Sequence, residues 1–266
     1  MVLSGNIQKM RSIGSNPIQY FLQVGHDEIN MNSIIGKHVK IEFKNQINCI
    51  NCDSKTNKSF HQGYCYSCFS SLAQCDAGVL NPEKDYSHLG ISRDMEWSKH
   101  NSLIDHFVYL ALTSELKVGV TRHTQIPTRW IDQGAIKAIK LAKTPYRNLA
   151  GQIEVELKKH VSDKTNWSKM LVAKESSINL LERKNYFGSL LPADLQQFIS
   201  LDNSITTLNY PFNYAIDKFK SVSLDNQMII NGTIAGLKGQ YLIFKDGQVI
   251  NIRKHNGYLI EFEIFE

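Results

Sequence analysis

Apolar and polar residues alternate in segments at both ends of this chain, which is the pattern of β-strands with one buried face. Near the N-terminus the alternation covers residues 18–24 and 39–43. Near the C-terminus it predicts four strands with Asx-Gly dipeptides at hairpin-turn positions, over residues 232–236, 240–244, 249–252 and 258–262. Each end has too few strands to be stable alone, so we expect residues 1–45 and 201–266 to pack into one β domain.

The central part of the chain mixes strands with helices. Residues 107–111 and 116–121 are short apolar strands joined by a turn, and residues 135–139 fit a third strand better than a helix. A proline suited to the first turn of a helix precedes Arg129. Apolar side chains then recur every four residues and predict an amphipathic helix over 146–161, which a second helix follows over about 168–185.

Four cysteines have the spacing of a zinc ribbon. They form two C-x2-C pairs separated by 12 residues, and they are Cys49, Cys52, Cys65 and Cys68. Each pair places two thiolates on one tight turn, and the loop between the pairs brings the turns together into a tetrahedral site. A disulfide framework is the alternative, but the chain has only 5 cysteines in 266 residues. We therefore predict a structural zinc ion bound by these four thiolates.

The whole pattern predicts an α+β chain. It has β elements at both termini, an inserted zinc ribbon, and a central unit with the order β-hairpin, helix, strand, helix. The segment after the ribbon has little periodicity and is expected to be a linker or irregular arm. The predicted domains are the N-terminal β elements 1–45, the ribbon 46–76, the arm 77–103, the α/β unit 104–200 and the C-terminal β domain 201–266.

Composition and charge narrow the class of protein. Hydrophobic residues make up 42% and charged residues 21%, as in ordinary globular proteins. The chain lacks the run of about 18 apolar residues that a membrane-spanning helix needs, so no membrane partner is expected. No secretory signal is visible at the start, which favours the reducing cytoplasm, where thiolate zinc ligands persist. The net charge of +5 permits a nucleic-acid partner without requiring one.

The central unit resembles the GIY-YIG nuclease superfamily. Tyr109 stands where the first motif has its tyrosine, and Val118-Gly119 matches the end of the second motif. Arg129 opens the next helix, where the superfamily has its catalytic arginine, and Glu154 stands where it has a metal-binding glutamate. The resemblance implies catalytic roles for Tyr109, Arg129 and Glu154, with a Mg²⁺ or Mn²⁺ ion at Glu154.

Those residue types suit phosphodiester hydrolysis. The phenol of Tyr109 can act as a base or orient one beside the attacking water. The guanidinium of Arg129 matches the geometry of phosphoryl oxygens. The carboxylate of Glu154 is a hard oxygen ligand for a divalent metal that takes its other ligands from water.

Two motif positions depart from the superfamily pattern. Lys117 replaces the first tyrosine of the second motif, and Phe107 replaces the first glycine of the first motif. Lys117 and Arg122 add positive charge near Arg129, so these three residues are the candidate nucleic-acid-binding residues.

Each catalytic candidate also has a structural alternative. Tyr109 can be a packed strand aromatic. Arg129 can pair with an aspartate three residues later, and Glu154 can pair with Lys158 four residues later. Glu156 is the competing carboxylate on the same helix.

Longer runs resemble one uncharacterised bacterial family, the domain-of-unknown-function family 2797. The matching runs cover residues 58–69, 108–111, 117–122, 125–135, 160–167 and 238–243. The similarity extends over nearly the whole chain, but it implies no mechanism.

We therefore predict a zinc-containing nucleic-acid-binding protein, with RNA favoured over DNA, whose central unit is a metal-dependent phosphodiesterase. One alternative is a non-catalytic RNA- or ribosome-associated factor, in which the ribbon, the basic central face and the β domain are binding surfaces. A protein-interaction module without a nucleic-acid partner is the third hypothesis.

Overall fold

The computed structural model describes residues 1–173, 176–212, 216 and 218–265. It confirms the mixed α and β class, with strands at both termini. The strands are β1 Val2–Asn6, β2 Arg11–Ile13, β3 Gln19–Val24, β4 Asp27–Asn30, β5 His38–Asn48, β6 Lys55–Thr56, β7 His106–Leu112, β8 Leu116–Arg122, β9 Lys137–Thr144, β10 Ile205–Thr207, β11 Lys220–Val222, β12 Ile229–Lys238, β13 Tyr241–Phe244, β14 Gln248–Asn251 and β15 Tyr258–Ile264. The α-helices are α1 Tyr66–Ser71, α2 Ala77–Leu80, α3 Met95–Asn101, α4 Thr128–Asp132, α5 Arg147–Lys158, α6 Trp167–Val172, α7 Leu180–Ser189 and α8 Ala193–Gln196. Short 3-10 helices cover Met31–Ile34, Ala73–Cys75, Pro82–Lys84, Ser87–Leu89, His123–Gln125 and Ile252–His255.

The chain forms two compact units. The first unit combines Met1–Ser70 with Asn209–Glu266, and the second unit is Ser71–Leu208. Residues from the two ends of the chain therefore belong to the same unit. In the part of the chain that the structure describes, no helix is both long enough and apolar enough to cross a bilayer.

The first unit is built on an eight-stranded sheet in which the long strand β5 is central. The strand order is β1-β15-β5-β12-β13-β14-β11, and β6 pairs with β5 beside this path. Alternate residues of β5 are buried, as the alternating sequence pattern predicts, because one face of the strand covers the core. A separate sheet joins β2, β3 and β4.

The second unit contains a four-stranded sheet in the order β10-β9-β7-β8. Strand β7 lies between β8 and β9 and is paired antiparallel with both. Helix α5 packs on this sheet, and its buried apolar residues Leu149, Ile153 and Leu157 have the predicted four-residue spacing. The core they join includes side chains from all three long strands, namely Val108, Leu110, Leu112, Val118, Val120, Ile139 and Leu141.

Residues 77–103, expected to be a linker or irregular arm, hold α2, α3 and two 3-10 helices. Side chains of α5 fix this segment in place. The guanidinium of Arg147 donates to the carbonyls of Gly78 at 2.9 Å and Val79 at 2.6 Å. The Asn148 amide donates to the carbonyl of Glu83 at 2.7 Å. These contacts are long-range, so no local periodicity reveals them.

The helix predicted over 168–185 is wrong as a single element. Its described residues form the end of α6 and the start of α7, with residues 176–179 outside any helix; residues 174 and 175 lie outside the described residues. Asn166 caps α6 and Asn179 caps α7, each by accepting hydrogen bonds from backbone N–H groups of the first turn. The second cap starts a new helix where the apolar pattern suggested a continuous one. Within the predicted C-terminal domain, residues 213–215, 217 and 266 also lie outside the described residues.

Close packing at Gly151 generates a stability prediction. A Cβ at this position would lie 2.5 Å from the carbonyl carbon of Pro82 and closer still to the amide nitrogen of Glu83. Alanine in a helix interior ordinarily stabilises by up to about 1 kcal/mol relative to glycine. We expect Gly151→Ala instead to destabilise by about 1–3 kcal/mol, because backbone atoms must move. Chemical unfolding followed by circular dichroism measures this.

Gly188→Ala in α7 is the matched control. Its Cβ would meet only the flexible Ile199 side chain, at 3.0 Å or more. Equal stabilities of the two variants would contradict the close approach of α5 to residues 82–83.

Candidate functional site

The four cysteines come together at one point of the first unit. Cys49 directly follows β5, and its carbonyl accepts from the N–H of Asp53 at 2.9 Å in a tight turn that carries Cys52. Cys65 directly precedes α1 and Cys68 lies on it. All four Sγ atoms lie within 4.8 Å of one another, and those of Cys52 and Cys65 are 3.8 Å apart. A tetrahedron with 2.3 Å metal–sulfur bonds has an edge of about 3.8 Å.

The electrostatics of this cluster favour a cation. Burial and the neighbouring thiols raise the pKa of Cys68 to about 12. Hydrogen bonds from Ser54 lower the pKa of Cys52 to about 6. Without a cation, neighbouring thiolates of the cluster repel one another, so they do not all ionise together. A divalent metal stabilises the ionised form of all four. The four cysteines could hold a zinc ion.

A polar cavity of about 140 Å³ lies in the second unit. We call it the Arg129 cavity. Its lining combines four cationic side chains with two carboxylates, namely Lys117, Arg129, Arg147, Lys158, Glu154 and Asp163. Strand β8, helix α4 and helix α5 supply most of these groups, and Gln133 follows α4 directly. The cavity therefore contains both Arg129 and Glu154, together with Lys117.

Tyr109 reaches this cavity through an intermediate side chain. In one orientation of the Gln133 amide, the amide oxygen accepts from this phenol at 2.9 Å. When the Gln133 amide is turned to satisfy both neighbours, its oxygen accepts from Nε and Nη2 of Arg129 at 2.9 and 3.1 Å, and its nitrogen donates to the phenol at 2.9 Å. Gln133 thus joins Tyr109 to Arg129. It can reach Arg129 because it stands four residues later, at the C-terminal end of α4.

The Tyr109 side chain is completely buried. It lies opposite Gly119 in the register of β7 and β8. A Cβ at Gly119 would meet the phenol oxygen at 2.5 Å, so only glycine leaves space for the ring. Burial raises the pKa of Tyr109, which keeps the phenol neutral near pH 7.

Glu154 is a buried carboxylate with a cationic partner. Its oxygen lies 3.3 Å from Nζ of Lys158, and that ammonium also contacts Asp163 at 3.2 Å. Burial raises the pKa of Glu154 because desolvation disfavours its charged form. The ion pair within α5 that was considered as the alternative role of Glu154 is therefore present.

Lys117 is a buried cation of the Arg129 cavity. Its residue is 6% exposed, and Nζ makes one long contact, to Oγ1 of Thr165 at 3.4 Å. Among the residues that the structure describes, no carboxylate lies within ion-pair distance of this ammonium. Burial and the charge of Arg129 lower the pKa of Lys117 to about 8. Such a group is stabilised by any anion that enters the cavity.

Arg122, the third candidate for nucleic-acid binding, lies apart from this cavity. It ends β8, and its guanidinium donates to the side-chain oxygen of Asn101. The lining of the Arg129 cavity does not include it.

Sequence reasoning did not assign four members of this group, which are Gln133, Arg147, Lys158 and Asp163. Helical spacing gives a signal for most of them. Arg147, Glu154 and Lys158 are separated by seven and four residues and so share one face of α5. Gln133 stands four residues after Arg129. Asp163 follows the helix, and no local pattern marks it.

Comparisons with known proteins give one positive result. No curated protein and no solved structure matches this chain. Residues 36–260 match the family described as "Protein of unknown function (DUF2797)". The match includes the four cysteines and the whole Arg129 cavity, and it covers most of the chain. On this evidence the chain belongs to the DUF2797 family of proteins of unknown function.

Proposed function

We propose that this protein binds nucleic acid through phosphate groups in the Arg129 cavity and hydrolyses a phosphodiester there with a divalent metal at Glu154. The observation that carries the proposal is the convergence of Arg129, Lys117 and Glu154 on one small polar cavity. The resemblance to GIY-YIG nucleases leads us to expect Tyr109, Arg129 and Glu154 together, with Lys117 in place of the first tyrosine of the second motif; Arg129, Glu154 and Lys117 line the cavity, and Tyr109 contacts it through Gln133.

The cations of the cavity suit phosphate. Arg129 uses Nε and one hydrogen of Nη2 on Gln133, so its remaining guanidinium hydrogens are available to phosphate oxygens. Lys117 supplies a second, desolvated positive charge from β8. In a low-dielectric cavity these fixed charges stabilise an anionic transition state more strongly than they would in water.

Glu154 is the group that would hold Mg²⁺ or Mn²⁺. It is the buried carboxylate of the cavity, and oxygen is the ligand that both ions prefer. Lys158 competes with a metal for this carboxylate, but Asp163 already accepts from the same ammonium and can retain it. The metal would neutralise charge on the phosphoryl group and activate a water molecule.

Tyr109 fits an orienting role better than that of a base. Its neutral phenol fixes Gln133, and Gln133 in turn fixes the plane of the Arg129 guanidinium. Tyr109 is therefore a positioning residue in this proposal.

A non-catalytic nucleic-acid-binding factor is the second candidate function. The ion pair between Glu154 and Lys158 favours it, since the only buried carboxylate assigned to metal binding already has a cationic partner. RNA is the partner that we propose first for either function. A structural zinc ion in the four-cysteine cluster belongs to both, and thiolate ligation fits the reducing cytoplasm.

Metal analysis tests the zinc site. We expect the purified protein to contain one zinc ion per chain, and Cys52→Ser or Cys68→Ser to lose most of it, because each removes one of four thiolate ligands. Mass spectrometry of the bound metal measures this. Cys75→Ser is the matched control, since Cys75 lies outside the cluster. Full zinc content in the Cys52 and Cys68 variants would refute the assignment.

Cleavage assays test the catalytic hypothesis. With Mn²⁺ or Mg²⁺ and mixed RNA and DNA, we expect Glu154→Gln to lower the cleavage rate about 10²–10³-fold, because the metal loses its protein ligand. Glu156→Gln should keep the rate of the unmodified protein, because Glu156 does not line the cavity and pairs with Lys159. If the two variants cleave equally well, Glu154 is not the metal ligand; if the unmodified protein does not cleave, the binding factor is the remaining candidate.

Binding assays test phosphate recognition independently of cleavage. We expect RNA affinity to fall steeply with salt, and Arg129→Ala to weaken it and to reduce the salt slope by about one. Fluorescence anisotropy with a labelled oligonucleotide measures both. Arg122→Ala should have a smaller effect, because Arg122 lies outside the cavity. Binding that is insensitive to salt would argue against phosphate recognition.

A further inference from the structure

A second polar cavity lies in the first unit, beside the cysteine cluster. Its volume is about 470 Å³, and it is open to solvent between the loop that joins the two cysteine pairs and the C-terminal strands. We call it the ribbon cavity. It is lined by Asn57, Lys58, Ser59, Gln62, Asp225, Lys254 and Tyr258. None of these residues belongs to the site already described.

The charge balance of the ribbon cavity favours an anion. Lys58 lines it from the loop between the cysteine pairs and Lys254 from the 3-10 helix Ile252–His255, and among the described residues neither ammonium has a carboxylate partner. The one carboxylate of the lining, Asp225, accepts from the phenol of Tyr258 at 2.6 Å and from Ser223 at 2.9 Å. Its negative charge is thus already stabilised by neutral donors, whereas neither lysine has a carboxylate partner among the described residues.

The lining of the ribbon cavity also contains an unsatisfied polar atom. The hydroxyl oxygen of Ser59 is buried and has no hydrogen-bond partner among the residues that the structure describes. Buried hydroxyls in native proteins almost always have a partner. The lining of the cavity therefore contains a hydroxyl that no described residue satisfies.

The loop wall of the cavity is held in an unusual conformation. His61 and Gln62 both have positive φ, 44° and 64°, which ordinary residues rarely adopt. The Asn256 amide donates to the carbonyl of Gln62 at 2.8 Å and holds this turn against the C-terminal strands. Residues from both the N-terminal and the C-terminal segment of the first unit therefore line the cavity, and a hydrogen bond between these segments holds the loop.

Aromatic side chains adjoin the basic wall. Nζ of Lys58 lies 5.2 Å from the centre of the Phe60 ring. The ring of Tyr66 packs edge-on against Phe60 at 5.5 Å and is 67% exposed. An exposed tyrosine ring that packs on Phe60, beside a lysine ammonium, is a combination that proteins use for single-stranded nucleic acid, with bases stacked on rings and phosphates beside lysines.

We propose that the ribbon cavity is a second nucleic-acid contact, which takes one phosphate of a single strand between Lys58 and Lys254 while a neighbouring base stacks on Tyr66. The polar side chains of Asn57, Gln62 and Asp225 face the same space and can accept or donate hydrogen bonds to a base or ribose. The inference rests on the proposed nucleic-acid function but involves a different surface.

Photo-crosslinking separates the two sites. Short single-stranded RNAs with 4-thiouridine are crosslinked to the zinc-loaded full chain, and crosslinked peptides are mapped by mass spectrometry, with a thiothymidine DNA as a parallel arm. We expect crosslinks within residues 57–69 or 253–258. Crosslinks confined to peptides of the Arg129 cavity would overturn the ribbon contact and leave the proposed function intact. Crosslinks confined to the ribbon, with affinity unchanged in Arg129→Ala, would support the ribbon contact and overturn phosphate binding in the Arg129 cavity. If no RNA or DNA binds at low salt, both proposals are overturned.

Charge variants give the quantitative test. We expect Lys58→Ala with Lys254→Ala to weaken RNA binding about fivefold or more at low salt and to reduce the salt slope by about one, because the pair holds one phosphate. The matched control is Lys37→Ala with Lys220→Ala, which removes two exposed lysines of the same unit outside the cavity. Equal losses in both pairs would overturn the site.

A charge-preserving pair guards against misfolding. Lys58→Arg with Lys254→Arg should bind about as tightly as the unmodified protein, and all variants are compared at equal zinc content. A fivefold loss in the arginine pair at full zinc content would show that the lysines act through structure rather than through charge, and would also overturn the proposal.

Discussion

Pairing between strands that are distant along the chain is the constraint on which both units depend. In the first unit, β5 lies between β15 and β12, so Val39 to Ile47 are fixed by residues more than 180 positions later. The cysteine cluster begins at the end of this strand. The ribbon has about 20 residues, and its described strand pairing consists of β6 with the end of β5 and one bridge between Phe60 and Tyr64, so β5 is its main connection to the sheet.

The Arg129 cavity of the second unit also depends on the pairing of strands. Strand β7 has partners on both sides, and the β8 register places Gly119 opposite Tyr109. That juxtaposition lets the phenol reach Gln133, and Gln133 then orients Arg129. Helix α5 adds Glu154 and Lys158 from the other side. The site is therefore a product of one strand register and one helix packing, and small errors in either would separate its members.

Two buried charges of the Arg129 cavity differ in how their desolvation is offset. The buried carboxylate of Glu154 has Lys158 as partner, whereas among the described residues the buried ammonium of Lys117 has only the Thr165 hydroxyl at 3.4 Å. A buried charge without a counterion is costly. The buried Lys117 ammonium therefore lowers the stability of the fold, and a bound anion would offset this cost. Such an arrangement is typical of binding and catalytic sites rather than of structural ion pairs.

The sequence by itself determined the local features. Spacing identified the four cysteines, alternation identified the terminal strands, and four-residue periodicity identified α5, because each is encoded within a few neighbouring positions. It also named Tyr109, Arg129 and Glu154, through a resemblance rather than through geometry. It failed where capping residues outweighed apolar periodicity, as at Asn179, and where polar contacts came from far along the chain, as between Arg147 and the carbonyl of Gly78. Only the tertiary structure decided that Gln133 connects Tyr109 to Arg129, that Lys117 is buried beside Arg129, and that Lys58 and Lys254 line one cavity. These relations depend on distances between segments, and distance between segments is set by strand pairing and packing, which no local pattern records.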